Sequence, residues 1–433
     1  MHLNITLPVR ALPIALLSLL LTASGATAQD GTSTKGDPSV TPWNDPKDPY
    51  VIRLNKDDPS ATNWNARNKR LAKDRKGPTD LNRYGGGSRH EAFPTFLGAP
   101  VALTPQELKD GDIDVAIVGA LTDMNAVPGT ALGANMLRAA HISSADYFTA
   151  KGDGKQELLK DVFPVDTYLR TSLGEINLVD YGNIKSHPYS GEKSTEEIRA
   201  VLGEIYEGGA LPMLVGGSHD NMLGLFLAVA DEYGRGNFGI IHFDSHADTI
   251  PTGYGYYVHN GNGIYMGNQL GLYKREDIIQ IGLTSVGPND ELFKWQQEGG
   301  VRTHFQAEIE RNGWDAVMKR VLAESERFEN VIVTVDIDIM GSAYVPGTGG
   351  RQPDGPNPSQ MMKAMRQLAI HSNVVAIEIS EYNPMLDSRS NQTANVVQHL
   401  MSSFLHGLIA KKRGITDPNY YHPKAIDHGF GRD

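Results

Sequence analysis

Cysteine is absent from all 433 residues. This excludes disulfides, thiolate nucleophiles and Cys-ligated zinc together. Basic blocks are missing too. With 40 Lys and Arg against 51 Asp and Glu, the formal charge is -11, which argues against a nucleic-acid partner and favours neutral or cationic small molecules. No internal repeat is present, and long apolar runs are confined to the N-terminus. There "ALPIALLSLLLTA" follows Arg10 and precedes "ATA" at 26–28. A positive start, an apolar centre too short to span a bilayer comfortably and a small-x-small cleavage site describe a signal peptide over residues 1–28. The mature chain is therefore expected outside the cytoplasm, periplasmic or secreted, with no membrane attachment after cleavage.

Residues 29–95 lack periodicity as well. The stretch "DPSATNWNARNKRLAKDRKGPTDLNRYGGGSRH" is polar and rich in Pro, Gly and Asn, with neither a period of 2 nor one of 3.6. It reads as a long arm, either a flexible leader or a strap anchored by Trp43, Trp64 and Tyr84. Length alone admits one large or two ordinary domains after it. Residues 96–433 alternate apolar runs with helical patterns, and this places them in one unit. The runs are "IDVAIVGA" (113–120), "LPMLVGG" (211–217), "FGIIHFD" (238–244), "DIIQIGL" (277–283), "VIVTVDIDI" (331–339) and "VVAIEIS" (374–380). Near-continuous apolar character is expected of strands covered on both faces. Between them, "STEEIRAVLGEIYEGG" predicts a helix with a Ser194-x-x-Glu197 capping box and a Gly stop. Such alternation implies an α/β fold, a parallel sheet with helices on both sides.

Ligands of such sheets gather beyond the carboxyl ends of the strands. Three of those ends carry unusual residues. "VGGSHD" places His219 after a Gly-Gly turn, "HFDSHAD" places Asp244, His246 and Asp248 at every second position, and "TVDIDIM" does the same for Asp336 and Asp338. In extended backbone, alternate side chains point one way, so each set is expected to aim at one spot. Converging carboxylates repel and would force one to take a proton. Two divalent cations cancel four negative charges, and a donor set of Asp and His without sulfur suits two metals per chain, Mn²⁺ first by ligand hardness and Ni²⁺ second.

Each piece has an ordinary reading. A lone His after Gly-Gly is commonly a cap or core residue, and an Asp at a strand end commonly caps a helix. Three pieces at three strand ends, spaced about 25 and about 90 residues apart, favour the metal site.

"GGSHD", "DSHAD" and "TVDIDIMGSAYVPGTG" resemble, in order and spacing, the signature segments of the ureohydrolases, the arginase and agmatinase family. "VPGTALGANMLRAAHI" (127–142), "VHNGNGIYMGNQLGL" and "EISEYNP" extend the resemblance over about 110 to 410. It implies a three-layer α/β/α fold around an eight-stranded parallel sheet, two bridged metals, and hydrolysis of a guanidino group to an amine and urea. By position, His219, Asp244, Asp248 and Asp336 would hold one metal, and Asp244, His246, Asp336 and Asp338 the other, with Asp244 and Asp336 bridging. Asp248 would also orient the attacking oxygen, Glu381 would hold the guanidinium, and His259 would shuttle a proton. Trimers or hexamers are the family's assemblies.

Three departures stand out. Gly341 and Ser342 replace the usual Asp-Pro after the paired aspartates. Val127, Ala131 and Asn135 replace arginines common in agmatinase-like members, leaving Arg138. Thr252, Tyr254, Tyr256 and Tyr257 stand where arginases carry residues that read the substrate's amino and carboxyl groups, and no basic residue is among them. Agmatine-like or small uncharged-tail guanidines therefore rank above arginine, with guanidinobutyrate or guanidine itself as alternatives, and the tyrosines are expected to line a narrow pocket. Two rivals share the fold: a zinc deacetylase, which generally lacks one metal's worth of ligands, and a non-catalytic binding protein.

Overall fold

Six apolar runs become strands because each alternates its side chains between two cores. In a computed structural model, the described residues are 77–79, 94–124, 127–140, 148–150, 156–158, 169, 171, 173–252, 255–285 and 290–423. Division of the chain by internal contacts separates 1–40 from 41–433, and every described residue belongs to the second unit. The signal peptide expected over 1–28, and Trp43, Trp64 and Tyr84 of the arm, lie outside the described residues. One described piece of the arm does meet the fold, since Thr79 and Val101 exchange backbone hydrogen bonds of 2.8 and 2.9 Å.

The strands are β1 (Val115–Gly119), β2 (Leu178–Asn183), β3 (Leu211–Val215), β4 (Gly239–Phe243), β5 (Ile278–Ile281), β6 (Arg302–His304), β7 (Val331–Asp336) and β8 (Val374–Ser380). They form one eight-stranded sheet in the order β2-β1-β3-β8-β7-β4-β5-β6, with every pairing parallel. A separate antiparallel ribbon pairs Phe148–Ala150 with Gln156–Leu158. The edge strands β2 and β6 escaped the sequence reading. "LVDYGN" breaks into polar residues after two positions, and "RTH" has no apolar residue at all.

Alternation within strands gives the three layers. Ile241, Phe243, Val331, Val333 and Val335 pack on one side of the sheet with helices Trp314–Ser325, Pro358–His371 and Gln392–Lys412. Ile240, Ile278 and Ile332 face the other, with helices Gly191–Glu207 and Asn221–Tyr233. Helix Gly191–Glu207 buries Ile198, Leu202, Ile205 and Tyr206, spaced as one helical face requires. Its start corrects the sequence reading. Ser190, not Ser194, is the cap and accepts from Lys193 N–H at 3.2 Å, because the helix extends a turn earlier through "GEK". Ser194 then sits inside, its Oγ taking the N–H of His187 at 2.9 Å, while Glu197 meets His187 Nε2 at 3.1 Å. Gly208 ends the helix as expected.

Candidate metal centre

Four adjacent strands, β3, β8, β7 and β4, deliver the site at their carboxyl ends. After β3 the chain turns through Gly216 and Gly217, both at positive φ (81° and 72°). A Cβ on Gly217 would lie 2.7 Å from Asn221 Nδ2 and 2.9 Å from Thr122 Oγ1, so only glycine fits. The turn sets His219 two residues ahead of helix Asn221–Tyr233.

Beyond β4 and β7 the backbone does not stay extended. Asp244 Oδ1 accepts the N–H of His246 at 2.6 Å, and Asp336 Oδ1 accepts the N–H of Asp338 at 2.8 Å. In both, an aspartate at the strand end folds the chain around its own carboxylate. Convergence therefore comes from two matching turns, correcting the expectation of an extended platform. Asp338 lies on a short 3₁₀ turn, Ile337–Ile339. Asp248 and Glu381 take positive φ of 51° and 66°, conformations rare outside glycine that concentrate at functional sites.

All six expected ligands come together, in two overlapping groups. One comprises His219, His242, Asp244 and Asp248, the other Asp244, His246, Asp336 and Asp338. His219 Nδ1 lies 3.0 Å from Asp244 Oδ2, 2.9 Å from Asp248 Oδ2 and 3.7 Å from Asp336 Oδ2, so Asp336 reaches the seam between the groups. His246 Nδ1 lies 3.0 Å from Asp338 Oδ2 and 3.3 Å from Asp244 Oδ1. His242 was missed. It sits at the same alternation, two residues before Asp244, but as a strand residue it reads as core. Its Nε2 is 3.1 Å from Asp244 Oδ2.

The donor atoms fit cations. His219 Nδ1, Asp244 Oδ2 and Asp248 Oδ2 are buried and, despite their closeness, none is aligned as a hydrogen bond, as expected of lone pairs aimed at a common point. Electrostatics agree. Burial first, then Asp338 and Asp244, push the Asp336 carboxyl well above the usual range, and burial with Asp244 raises Asp338. Burial opposes ionisation of Asp244 too, but His219, His242 and His246 outweigh it and hold that carboxyl well below the ordinary value. Burial disfavours a charged His246, yet Asp244 and Asp338 push it up to about 12. Protons on imidazoles thus balance the carboxylates, a task that divalent cations perform without protonating the ligands.

Glu381 is buried at the centre, where His219 N–H donates to its Oε1 at 2.8 Å. Burial foremost lifts its carboxyl to about 7. His259 is also buried but outside both ligand groups. Its Nδ1 accepts Gly261 N–H at 3.1 Å, its Nε2 is unpartnered, and burial lowers its pKa against the opposing charge of Asp248.

A cavity of ≈ 790 Å³ opens above Asp248, Asp336, Asp338 and Glu381. Its aromatic wall is Phe293 and Phe305, not Tyr256 or Tyr257, which do not line it. Tyr256 is instead exposed and Tyr257 packs against the core. Tyr254 lies outside the described residues. Among the described residues no Lys or Arg lines the cavity, whereas the exposed Glu310 does. Sequence offered no sign of Glu310, which arrives on the short helix Gln306–Asn312.

Two departures find structural explanations. Arg138 forks onto both oxygens of Asp180 at 2.6 and 2.8 Å and lies 3.9 Å over the Phe96 ring, so it ties secondary structure together. Past Asp338, Gly341 bridges to Gln352, with Ser342 N–H donating to Gln352 O at 2.8 Å. The replaced Asp-Pro loop is thereby still closed.

Residues 113–407 match the arginase family. The chain is 25% identical over 301 residues to proclavaminate amidinohydrolase of Streptomyces clavuligerus, covering 69% of this chain and 88% of that protein. Guanidinobutyrase of Pseudomonas aeruginosa is 25% identical over 333 residues, covering 75% and 94%. Among solved structures, a hypothetical agmatinase from Burkholderia thailandensis superposes with a TM-score of 0.64 at 22% identity, covering 78% of this chain and all of that one. The strand-end ligands and the length of the match lead to one conclusion: the chain belongs to the arginase family.

Proposed function

We propose that the protein hydrolyses a small guanidino compound with a cationic or neutral tail, agmatine-like, to an amine and urea. The observation that carries this is the pair of overlapping ligand groups sharing Asp244 beneath a cavity with Glu381 at its base. His219, Asp244, Asp248 and Asp336 would hold one cation, and Asp244, His246, Asp336 and Asp338 the other, with Mn²⁺ favoured by the oxygen-rich set. A bound pair would offset the four carboxylates and activate water for attack on the guanidinium carbon.

The chain's own residues do the rest. Asp248, through its unpartnered Oδ2, orients the attacking water. Glu381 pairs with the planar N–H fork of the guanidinium. Gly261 N–H occupies His259 Nδ1, which leaves Nε2 as the unpartnered atom. As a proton donor to the departing amine the ring would act as imidazolium, giving up its Nε2 proton and keeping one on Nδ1, which requires the Gly261 contact to open. Absence of Lys and Arg around the cavity among the described residues, with Glu310 present, supports a cationic tail over a carboxylate. Guanidinobutyrate would lack a partner there. We further propose that the protein works outside the cytoplasm as a homo-oligomer.

Urea release by the mature protein, reconstituted with Mn²⁺ or Ni²⁺, tests the reading against agmatine, 4-guanidinobutyrate, arginine and guanidine. Urea from agmatine, lost in Asp244→Asn, is expected. No urea from any of the four, with two metals still bound per chain, would sink it and move the weight to amide hydrolysis.

A further inference from the structure

His242 and His219 stack, with ring centroids 5.3 Å apart and planes 22° from parallel, and both turn a nitrogen toward Asp244 Oδ2. Their outer nitrogens face opposite hydrogen-bond types. Behind His219, Nε2 lies 2.8 Å from Thr334 Oγ1, and that hydroxyl donates to Glu378 Oε2 at 3.0 Å. A hydroxyl that gives its hydrogen to a carboxylate can only accept from His219, so Nε2 carries the proton and the Nδ1 lone pair is left for a cation.

Behind His242 the polarity reverses. Nδ1 lies 3.1 Å from Gln280 Nε2. The direction of that amide is fixed by its nitrogen's donation to the carbonyl oxygen of Ala247 at 2.8 Å, and its oxygen then faces Gln296 Nε2 at 2.9 Å. A backbone carbonyl has no hydrogen to give, so the amide cannot be turned over. Gln280 therefore donates to His242 Nδ1, and the proton of the neutral ring is on Nε2, 3.1 Å from Asp244 Oδ2 but not aligned on it as a hydrogen bond. All three side chains, His242, Gln280 and Gln296, are buried, which shelters the arrangement from water.

We infer that His242 is a positioning residue, whose N–H faces the shared carboxylate of Asp244 and holds it by charge, and not a further metal ligand. The inference rests on the two-cation reading of the centre. With its proton on Nε2, His242 has no lone pair to offer a cation there. Its N–H instead sets partial positive charge 3.1 Å from Oδ2, which holds the carboxylate in place electrostatically and would draw electron density from it.

The test uses the full mature chain. With ¹⁵N-histidine labelling and Zn²⁺ alone, the wild type is expected to bind two ions and to show one imidazole, absent from His242→Gln, with its proton on Nε2 and a bare Nδ1. His242→Gln keeps a donor near Nε2 and should still bind two ions. In the Mn²⁺-loaded protein, His242→Leu is expected to lose about 10–100-fold in kcat at unchanged KM, with His242→Gln recovering most of it. A His242 Nε2 without a proton, or a bound ion lost in His242→Gln, overturns the assignment while the centre stands. Full kcat in His242→Leu overturns it as well. Fewer than two ions in the wild type overturns the centre itself, and the assignment with it.

Discussion

The ring of His219 reaches Glu378 only through Thr334, whose Oγ1 stands between His219 Nε2 at 2.8 Å and Glu378 Oε2 at 3.0 Å. Groups behind a ligating imidazole fix its tautomer and basicity. Glu378 is fully buried, and burial foremost lifts its carboxyl to about 7. Replacing it with Gln keeps the hydrogen bond and removes the charge. Glu378→Gln is expected to weaken metal binding by about 10–100-fold, read by titration with Mn²⁺. The same variant should be more stable than wild type above pH 7 in the absence of metal. A buried carboxyl raised from 4.5 holds a proton that the unfolded chain releases, so its contribution to stability falls as pH rises toward 7.

Glu381 offers a sharper separation of binding from chemistry. It is buried and belongs to neither ligand group. Glu381→Gln should therefore bind two metals normally. Loss of a charged partner for the guanidinium is expected to cost about 3 kcal/mol, roughly 100-fold in kcat/KM. Steady-state kinetics beside metal analysis check both halves. A variant that loses metal instead would show Glu381 to be part of the ligand shell.

Much of this was legible because central parallel strands must be apolar on both faces, and six runs announced themselves that way. Asp244, His246, Asp248, Asp336 and Asp338 were legible because acids and imidazoles at the end of an apolar run have no packing reason to be there. What failed was local geometry. Asp244 and Asp336 close turns on their own carboxylates, and a period-2 reading cannot tell a turn of that kind from continued strand. His242 was hidden by its place inside β4, where a histidine between Ile241 and Phe243 reads as core. Glu310 and the phenylalanine wall depend on where helices land after long connections, which no local pattern records.

Metal uptake should depend steeply on pH. Without metal, His246 is pushed to about 12 and His219 well above its ordinary value, while Asp336 and Asp338 are raised. The folded chain thus holds protons that the unfolded chain gives up. Stability of the metal-free protein is expected to fall as pH rises above the ordinary histidine value of 6.5, by about 1.4 kcal/mol per pH unit for each extra proton held. Asp244, lowered, acts with the opposite sign but only below its ordinary value of 3.8. Cations compete with these protons, so metal affinity rises over the same range. Thermal melts with and without Mn²⁺ should diverge between pH 6.5 and 9. Parallel curves would contradict this.

Gly350 has little room beside the second ligand group. A Cβ there would come within 2.1 Å of Asp338 Oδ2 and 3.0 Å of His246 Cε1. Gly350→Ala is expected to displace Asp338 and to abolish binding of one cation, with kcat falling by about 100-fold or more. Metal content distinguishes this from unfolding: one ion per chain with an intact far-ultraviolet dichroism spectrum is the outcome expected.

Arg138 is the one arginine of the segment 127–142, and its kinetics decide whether it reads substrate or holds the fold. Its guanidinium and the Asp180 carboxylate are nearly closed to solvent, at 10% and 3% exposure. It also donates to Gly182 O at 2.7 Å and covers Phe96. Removing one partner of such a buried pair strands the other charge, at a cost of about 3–5 kcal/mol. Arg138→Ala should therefore unfold at markedly lower denaturant concentration, yet keep the wild-type KM for its guanidino substrate wherever it remains folded. Arg138→Lys should recover little of the loss, because an ammonium cannot reproduce the two-oxygen fork or lie flat on the ring. A raised KM at unchanged stability would place Arg138 in the substrate site instead.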